Sequence, residues 1–402
     1  MVPRVRGRVA TTVVMAALTL ALAACGGGSG QPAATAGESP STVVAGASTT
    51  PAAPPGSAVP TAPPTGPSAF TEPGPYPVGT LEIDAPNGPI TVWYPAQPGS
   101  EAGQAVATYD LRTYLPADEQ GKVAEAPFPT AAYPDLPAAE PEGQPFPLVL
   151  FSHGFCGYRQ QSSFLTTTIA SWGFVVAAPE HTARDLTACL SGTIGQGATT
   201  DVQDLRAAIP VLEAENLKED GPLATVVDTT RLAVVGHSAG GSAAIQMSGD
   251  PNVATYVAMA AGNGPAPAAT PGLYVAGDAD VIAPAATIEQ WWTTSVPSPK
   301  QLAVLGGVTH LGFMDLCTIA ADQGGVFQVA EQSGVAIPDV IAHLTADGCS
   351  PSHTPATAAW PAIRHLTIAQ LRSGFGIDPA PVALDASVAD AYPGLTVRYQ
   401  SA

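Results

Sequence analysis

One serine, flanked by glycines, is the residue best suited to covalent chemistry. Residues 234–241 read VVGHSAGG and hold the pattern Gly-x-Ser-x-Gly around Ser238. An apolar run precedes the pattern and small helix-forming residues follow it, as expected where a tight turn between a strand and a helix exposes a serine hydroxyl. Glycine suits such a turn because it has no Cβ atom to clash. We interpret Ser238 as a nucleophile; the alternative is a closely packed turn, or an anion site at the start of the helix.

A histidine and a carboxylate must accompany such a serine, because its hydroxyl is a weak nucleophile until a base takes the proton. In an arrangement of this kind the acid and then the histidine follow the serine, each after a later strand. Of the seven histidines, His310 alone directly follows the last predicted strand. Asp278 and Asp280 both follow the strand before it. We select His310 as the base and Asp280 as the acid, with Asp278 supporting the loop.

Acyl transfer also needs two backbone N–H groups that bind the developing oxyanion. Ala239, the residue after the nucleophile, is expected to supply one of them. The loop at residues 152–157 (SHGFCG), which follows the first predicted parallel strand, should supply the other from Phe155. We interpret His153 as a residue that orients this loop. The sequence has no phosphate loop, dinucleotide fingerprint or metal-ligand spacing, so neither a cofactor nor a metal is predicted.

The elements that would position these residues alternate between strand and helix. Strands are predicted at residues 81–85, 90–94, 147–152, 174–178, 232–235, 256–259, 273–276 and 301–305, and helices at 164–172, 202–216 and 239–247. Two short runs around the turn PNGP form a hairpin, and the later apolar runs are typical of buried parallel strands. This pattern predicts an α/β fold: a mostly parallel sheet with an N-terminal antiparallel hairpin and helices on both faces.

The charge balance excludes one class of partner. The chain has 33 acidic and 14 basic residues, a formal net charge of −19. An acidic surface repels phosphate backbones, so no nucleic-acid partner is expected. The same charge disfavours the electrostatic capture of anionic substrates, which leaves neutral substrates as the preferred class.

The first 24 residues have the pattern of an export signal. Arginines at positions 4, 6 and 8 precede an apolar stretch that closes on LAAC, ending at Cys25. A basic segment, an apolar segment and small residues at a cut site are typical of a secretory signal peptide. Cys25 after these small residues resembles the bacterial lipobox, which implies cleavage before Cys25 and lipidation of its thiol; an ordinary signal peptide is the alternative. We therefore expect an exported protein, held at the outer face of the bacterial membrane by its acyl chain alone.

Composition divides the remaining chain into a tether and a catalytic domain. Residues 25–75 are rich in Ala, Pro, Thr, Ser and Gly and cannot build a core, so we predict a disordered tether. Residues 76–402 form the predicted catalytic domain. Within it, the Pro-rich residues 95–147 are predicted to be an ordered excursion across the surface. The sequence leaves open whether this excursion covers the site.

Four cysteines remain once Cys25 is assigned to lipidation. An even number in an exported chain favours two disulfides, and four cysteines allow three pairings. Cys156 and Cys189 follow adjacent predicted strands, which places both at one edge of the sheet. Cys317 and Cys349 bracket an insertion, residues 317–349, after His310. We therefore favour the pairs Cys156–Cys189 and Cys317–Cys349.

Several segments together resemble the α/β-hydrolase superfamily. SHGF, ASWGFVVAAPEH and GHSAGG are similar to platelet-activating-factor acetylhydrolase and dienelactone-hydrolase-like esterases. DTTRLAVVGHSAGG, GDADVIAP and VTH are similar to actinobacterial cutinases, which hydrolyse polyesters. The resemblance implies an α/β-hydrolase fold, a triad of Ser238, Asp280 and His310, and oxyanion donors at Phe155 and Ala239. Two features depart from the cutinase pattern: alanine at position 239, where methionine is usual, and the excursion with the extra cysteine pairs.

These residues lead to the expectation of an exported, monomeric serine hydrolase that cleaves carboxylic esters through an acyl-enzyme. Short-acyl or lipid esters are the preferred substrates. A cutinase-like polyester hydrolase is the first alternative, and a non-catalytic cell-envelope binding protein on the same scaffold is the second. Aromatic residues beside the catalytic loops could shape an apolar acyl pocket: Tyr158, Trp291, Trp292 and Phe313, together with Phe155.

Overall fold

The structure, a computed structural model, describes residues 65–402 except 198, 263–267 and 346–347. The predicted signal peptide, Cys25 and the tether up to residue 64 lie outside the described residues. Within the described part of the chain, no helix combines the length and the apolar character needed to cross a membrane.

Ten strands of the described residues form one mixed sheet, and two short strands pair separately. The strands are β1 (Val78–Ile83), β2 (Ile90–Pro95), β3 (Thr108–Tyr109), β4 (Phe128–Pro129), β5 (Tyr133–Pro134), β6 (Phe146–Ser152), β7 (Val175–Pro179), β8 (Val227–His237), β9 (Val253–Met259), β10 (Gly272–Gly277), β11 (Lys300–Leu305) and β12 (Val397–Ser401). The order across the large sheet is β12-β11-β10-β9-β8-β6-β7-β2-β1-β5. Strands β6 to β11 run parallel, and the β1–β2 hairpin joins them antiparallel at β7.

Helices cover both faces of this sheet. They are α1 (Ser163–Ser171), α2 (Leu186–Ser191), α3 (Asp201–Asn216), α4 (Ala239–Met247), α5 (Ala285–Ser295), α6 (Val326–Gln332), α7 (Asp339–Leu344) and α8 (Ala356–Gly374). Strand β6 shows how the two faces are built. Val149 and Phe151 pack with residues of α1 and α8, whereas Leu148 and Leu150 pack with residues of α3 and α4. Because successive side chains of a strand point to opposite faces, a strand buried on both faces must be apolar throughout.

Two boundaries differ from the prediction. β11 is not the last strand, because β12 pairs antiparallel with it at the edge of the sheet. Only Val397 of β12 is buried, so no apolar run marks this strand in the sequence. The folded domain also begins before residue 76. Phe70, within the predicted tether, is fully buried and packs edge-on against Trp172, with ring centroids 4.9 Å apart. This side chain, together with hydrogen bonds such as that from the Tyr392 hydroxyl to the Pro67 carbonyl at 2.7 Å, fixes the segment, although its average composition predicts disorder.

The Pro-rich excursion, residues 95–147, is ordered and bonded to the body of the domain. Tyr109 donates its hydroxyl to Asp315 Oδ2 at 3.1 Å, and Tyr114 donates to Gln160 Oε1 at 2.7 Å. Burial, and the neighbouring Tyr158 and Asp315, raise the pKa of Tyr109 well above its ordinary value, so this hydroxyl remains a donor. These bonds join the excursion to the loops that follow β6 and β11.

Two disulfides are present, in the pairing that the sequence predicts. Cys156–Cys189 joins the loop after β6 to α2, and Cys317–Cys349 joins the two ends of the insertion at residues 317–349. The insertion contains α6 and α7.

Candidate active site

Ser238 occupies a strained turn between β8 and α4. Its φ is 57° and its ψ is −119°, a combination that non-glycine residues rarely adopt. The neighbouring glycines are required by space. A Cβ atom on Gly240 would overlap the carbonyl oxygen of Ser152, and one on Gly236 would overlap the carbonyl oxygen of Gly240. The glycines therefore let the turn lie against β6, which leaves Ser238 partly exposed at the carboxyl end of the sheet.

A chain of hydrogen bonds runs from Ser238 to Asp280. His310 Nε2 lies 3.0 Å from Ser238 Oγ, and His310 Nδ1 lies 2.8 Å from Asp280 Oδ2. The other oxygen of the buried Asp280 accepts the N–H groups of Ile282 at 2.8 Å and Ala283 at 2.7 Å. A carboxylate fixed in this way holds the proton of the imidazole on Nδ1, so Nε2 is left as an acceptor for the serine proton.

Two other residues near the triad, Asp278 and His237, make hydrogen bonds that hold the loops of the site in place. Asp278 accepts the N–H of Gly307, and so fixes the loop before His310. His237 is buried beside the triad: its Nδ1 accepts from Gln161 Nε2 at 3.1 Å, and its Nε2 donates to the His310 carbonyl at 3.1 Å. Burial, with the nearby His310, lowers the pKa of His237 well below its ordinary value. We infer that His237 is a neutral positioning group.

The loop of residues 154–157 has one backbone N–H available for a ligand. Gly154 donates to Gln161 Oε1 at 3.0 Å, Cys156 to the Arg184 carbonyl at 2.9 Å, and Gly157 to the Gly154 carbonyl at 3.0 Å. For the Phe155 N–H, no acceptor is found among the described residues. Buried backbone donors are nearly always satisfied, so a donor facing a cavity is well suited to receive a substrate atom. The hydrogen bonds of this loop therefore favour Phe155 as an oxyanion donor. Ala239 is the second candidate, because it is the first residue of α4 and no carbonyl of that helix can accept its N–H.

Arg184, His153 and the Cys156 disulfide hold this loop in place. The guanidinium of Arg184 donates to the carbonyls of His153, at 3.0 Å, and Gly154. His153 contacts its own loop as predicted: Nδ1 lies 2.9 Å from the Gly154 carbonyl, and Nε2 accepts the N–H of His181 at 3.0 Å. The disulfide at Cys156 adds a covalent link to α2.

An apolar cavity of about 160 Å³ lies beside Ser238 and His310. Phe155 and Tyr158 line it, as predicted. Most of the lining, however, comes from the excursion, whose relation to the site the sequence left open, and from the insertion, which the sequence did not connect with the site. These residues include Leu111, Leu115, Val123 and Ala126 from the excursion, and Ile319, Val326, Phe327, Val329, Ala330, Val335, Ile337, Ile341 and Leu344 from the insertion. The recurring apolar residues at 326–344 were the available signal for this surface.

Three aromatic residues predicted to shape the pocket lie outside it. Trp292 lies on the side of α5 that packs against the sheet, and the Lys300 ammonium lies 4.4 Å from its ring centroid. Trp291 packs against Tyr274, and Phe313 is buried in the core on the α1–α8 face. The prediction was wrong because proximity to a catalytic loop in sequence does not fix which face of an element a side chain occupies. Within the described part of the chain, no cluster of His, Cys, Asp and Glu could hold a metal ion.

Comparisons with known proteins agree with the fold and with the resemblance described above. The family model for platelet-activating factor acetylhydrolase, isoform II, matches residues 130–221. Cutinase 1 of Thermobifida cellulosilytica is 26% identical over 184 residues, 42% of this chain and 62% of the cutinase. The cutinase of Thermobifida fusca (strain YX) is also 26% identical over 184 residues, 42% of this chain and 54% of that cutinase. The match therefore spans less than two thirds of either relative.

A solved structure extends the likeness to most of the chain. The ferulic acid esterase from Streptomyces cinnamoneus superposes with a TM-score of 0.53 at 22% identity, and covers 85% of this chain and 98% of its own. At this identity the match concerns the fold alone. Together with the sheet order and the helices on both faces, it confirms the predicted α/β-hydrolase fold.

Proposed function

We propose that this chain, which has the α/β-hydrolase fold and resembles cutinases and platelet-activating factor acetylhydrolase, hydrolyses carboxylic esters with Ser238 as the nucleophile. The observation that carries the proposal is the hydrogen-bonded chain from Ser238 through His310 to Asp280, with distances of 3.0 and 2.8 Å. These distances are those at which a base accepts a proton from a nucleophile and a carboxylate orients that base.

The proposed reaction has two halves. Ser238 Oγ attacks the ester carbonyl carbon while His310 Nε2 takes the hydroxyl proton, and the oxyanion accepts hydrogen bonds from the N–H groups of Phe155 and Ala239. As the tetrahedral intermediate collapses, His310 returns the proton to the leaving oxygen and the alcohol departs. Water then attacks the acyl-enzyme with His310 again as the base, and releases the carboxylic acid and the free Ser238 hydroxyl. Asp280 stabilises the imidazolium in both halves.

Covalent labelling tests the assignment of the nucleophile. A fluorophosphonate should modify the protein with a stoichiometry of one at Ser238, and Ser238→Ala should abolish the labelling and lower kcat by at least about 10⁴-fold on p-nitrophenyl esters. Ser242→Ala, one turn along α4, is the matched control and should retain both. Unchanged turnover in Ser238→Ala would refute the proposal. A protein that neither labels nor hydrolyses any ester would favour the binding-protein alternative.

A cutinase-like polyester hydrolase is the second candidate, because two curated relatives are cutinases. Release of soluble products from a polyester film, compared with the hydrolysis of soluble esters at equal enzyme concentration, separates the candidates. We favour soluble or lipid esters because the excursion and the insertion both line the cavity beside Ser238. A rate on film that matches the rate on soluble esters would reverse this preference.

We also propose, from the sequence pattern of residues 1–25, that the protein is exported and anchored through a lipid on Cys25. Metabolic labelling with a radioactive fatty acid should mark the wild type but not Cys25→Ala. A wild-type protein that carries no label would contradict the anchor. We expect a monomer, which sedimentation of the protein without its lipid would test.

A further inference from the structure

The cavity beside Ser238 is lined by two segments that are far apart in the chain. The excursion contributes lining residues between positions 110 and 126, and the insertion contributes lining residues between positions 319 and 345; we call the space between them and Ser238 the chamber. The two segments also contact each other, since Lys122 Nζ lies 3.5 Å from the Gly334 carbonyl. A substrate group that enters this cavity beside Ser238 therefore contacts both segments.

Helix α6 shows what the chamber is suited to hold. None of its residues is fully buried, yet Val326, Phe327, Val329 and Ala330 all line the chamber. Its remaining residues, Gln328, Glu331 and Gln332, are exposed. The helix is thus amphipathic, with its apolar side toward the chamber, where Val326 and Phe327 also pack against a buried cluster that includes Tyr158. An apolar surface that no protein group fills favours an apolar ligand.

The size of the chamber limits that ligand. A volume of about 160 Å³ is close to that of an apolar protein cavity of about 150 Å³ that binds benzene. The chamber therefore accommodates a group of about six carbon atoms. A polymer chain, which extends beyond the nucleophile in both directions, does not fit into a chamber of this volume.

We propose, on the basis of the esterase function above, that the chamber binds the acyl group of a medium-chain ester, a group of about six carbons. The acyl group is the better match than the alcohol because it stays bound to Ser238 after the first half of the reaction. The alcohol must leave and water must enter, and a small apolar chamber hinders both. The chamber thus selects monomeric acyl esters over both acetyl esters and polyester.

An acyl-length series with a constant alcohol tests this selection. For p-nitrophenyl esters, kcat/KM should rise about fourfold per methylene from acetate to hexanoate, because each buried methylene stabilises the bound chain, and should then level off. A series of hexanoates with longer alcohols should show no such rise. A maximum at acetate, or a rise that follows the alcohol instead, would overturn the proposal.

Two alanines of the insertion supply a matched pair of variants. Ala330 on α6 lines the chamber, whereas Ala342 on α7 is exposed and does not. Ala330→Phe should lower the hexanoate-to-acetate ratio of kcat/KM at least tenfold, and Ala342→Phe should leave it unchanged. An equal ratio in both variants would refute the acyl chamber. Labelling of Ser238 by a fluorophosphonate in the same preparations distinguishes that outcome from a failure of the esterase proposal.

Arg184 carries a second inference, from a different observation. Its side chain is only 8% exposed, and Nε donates to Asp201 Oδ1 at 2.7 Å while the two terminal nitrogens donate to the carbonyls of His153 and Gly154. In a planar trans peptide the carbonyl and the following N–H point in opposite directions. The Phe155 N–H must therefore point away from Arg184. Phe155 and Ser238 line the chamber but Arg184 does not, so this N–H points to the side on which the substrate binds.

We infer that Arg184 is a positioning residue that sets the direction of the Phe155 donor, an inference that also rests on the esterase function. Arg184→Ala and Arg184→Lys should lower kcat about 100-fold with little change in KM, because a misdirected donor is lost mainly in the transition state. Lysine lacks the fork that binds both carbonyls. Inhibition by a trifluoromethyl ketone, which forms a tetrahedral oxyanion on the serine, should weaken by a similar factor.

Arg206→Ala is the control, because the Arg206 side chain is exposed and its nearest carboxylate, Asp250, lies 3.8 Å away. It should leave kcat and the inhibition constant unchanged. If Arg184→Lys folds with a lower Tm but with wild-type kcat and ketone affinity, Arg184 is structural only and the inference is wrong. Labelling of Ser238 in every variant separates that result from a failure of the triad assignment.

Discussion

The two disulfides offer a matched experiment, because they close loops of nearly equal length at different parts of the site. The cysteines are 33 residues apart in Cys156–Cys189 and 32 apart in Cys317–Cys349. We consider two double variants, each of which replaces one pair with alanine. The first variant frees the loop that carries Phe155, and the second frees the ends of the insertion.

The chain-entropy model predicts nearly equal losses of stability. For loops of this length it gives about 3.7 kcal/mol each at 25 °C. The folded domain has roughly 340 residues, so its entropy of unfolding near the midpoint is about 0.7 kcal/mol per kelvin, and each variant should lose about 5 °C in Tm. Calorimetry at two scan rates measures this shift and shows whether unfolding is reversible.

The two double variants should differ in their kinetics, although they should lose nearly the same stability. Loss of Cys156–Cys189 should lower kcat for acetate and hexanoate alike, because the oxyanion donor is held less firmly. Loss of Cys317–Cys349 should instead lower the preference for hexanoate over acetate, because the insertion lines the chamber. The same kinetic change in both variants, or Tm shifts that differ several-fold, would refute this reasoning. Wild-type protein treated with reductant under native conditions provides an independent comparison.

Three further predictions concern single residues. Gly240→Ala should fold poorly and lose activity because its Cβ would overlap the Ser152 carbonyl, whereas Gly249→Ala, whose nearest neighbour lies 3.9 Å away, should keep wild-type Tm and kcat. Asp280→Asn should lower kcat by about 10⁴-fold, as expected when the orienting carboxylate is lost, and Asp278→Asn by far less; equal effects would contradict the assignment. Burial lowers the pKa of His365 from 6.5 to about 4, so the folded state holds fewer protons than the unfolded state between these values, and its stability should fall as the pH drops from 6.5 to 4. His365→Gln should reduce that loss by about 2 kcal/mol in urea titrations at pH 7 and pH 4.5; an identical loss in the variant would disprove the contribution.

The parts of the fold that the sequence predicts are those governed by local chemistry. The turn at Ser238 needs glycines within two residues on either side, and β6 needs apolar residues on both faces. Both requirements restrict the residue types at positions close together in the sequence, so both can be recognised without the structure. The same is true of the loops that carry Asp280 and His310, because each directly follows an apolar strand.

The parts that the sequence does not predict depend on contacts between distant segments. β12 has only one buried residue and is recognisable only by its pairing with β11. Trp291 and Trp292 look like pocket residues until α5 is placed against the sheet, which turns them away from Ser238. The chamber likewise forms only when two segments some 200 residues apart in the chain come together over the nucleophile.

The geometry of Cys317–Cys349 also bears on how this protein can diversify. The Cα atoms of the two cysteines lie 5.3 Å apart, so the segment between them leaves the scaffold and returns to it at nearly one point. A segment with adjacent ends can be shortened, lengthened or exchanged as a cassette without displacing the strands beneath it. Substrate range can therefore evolve, or be engineered, by grafting at this point while the sheet and the catalytic loops stay as they are.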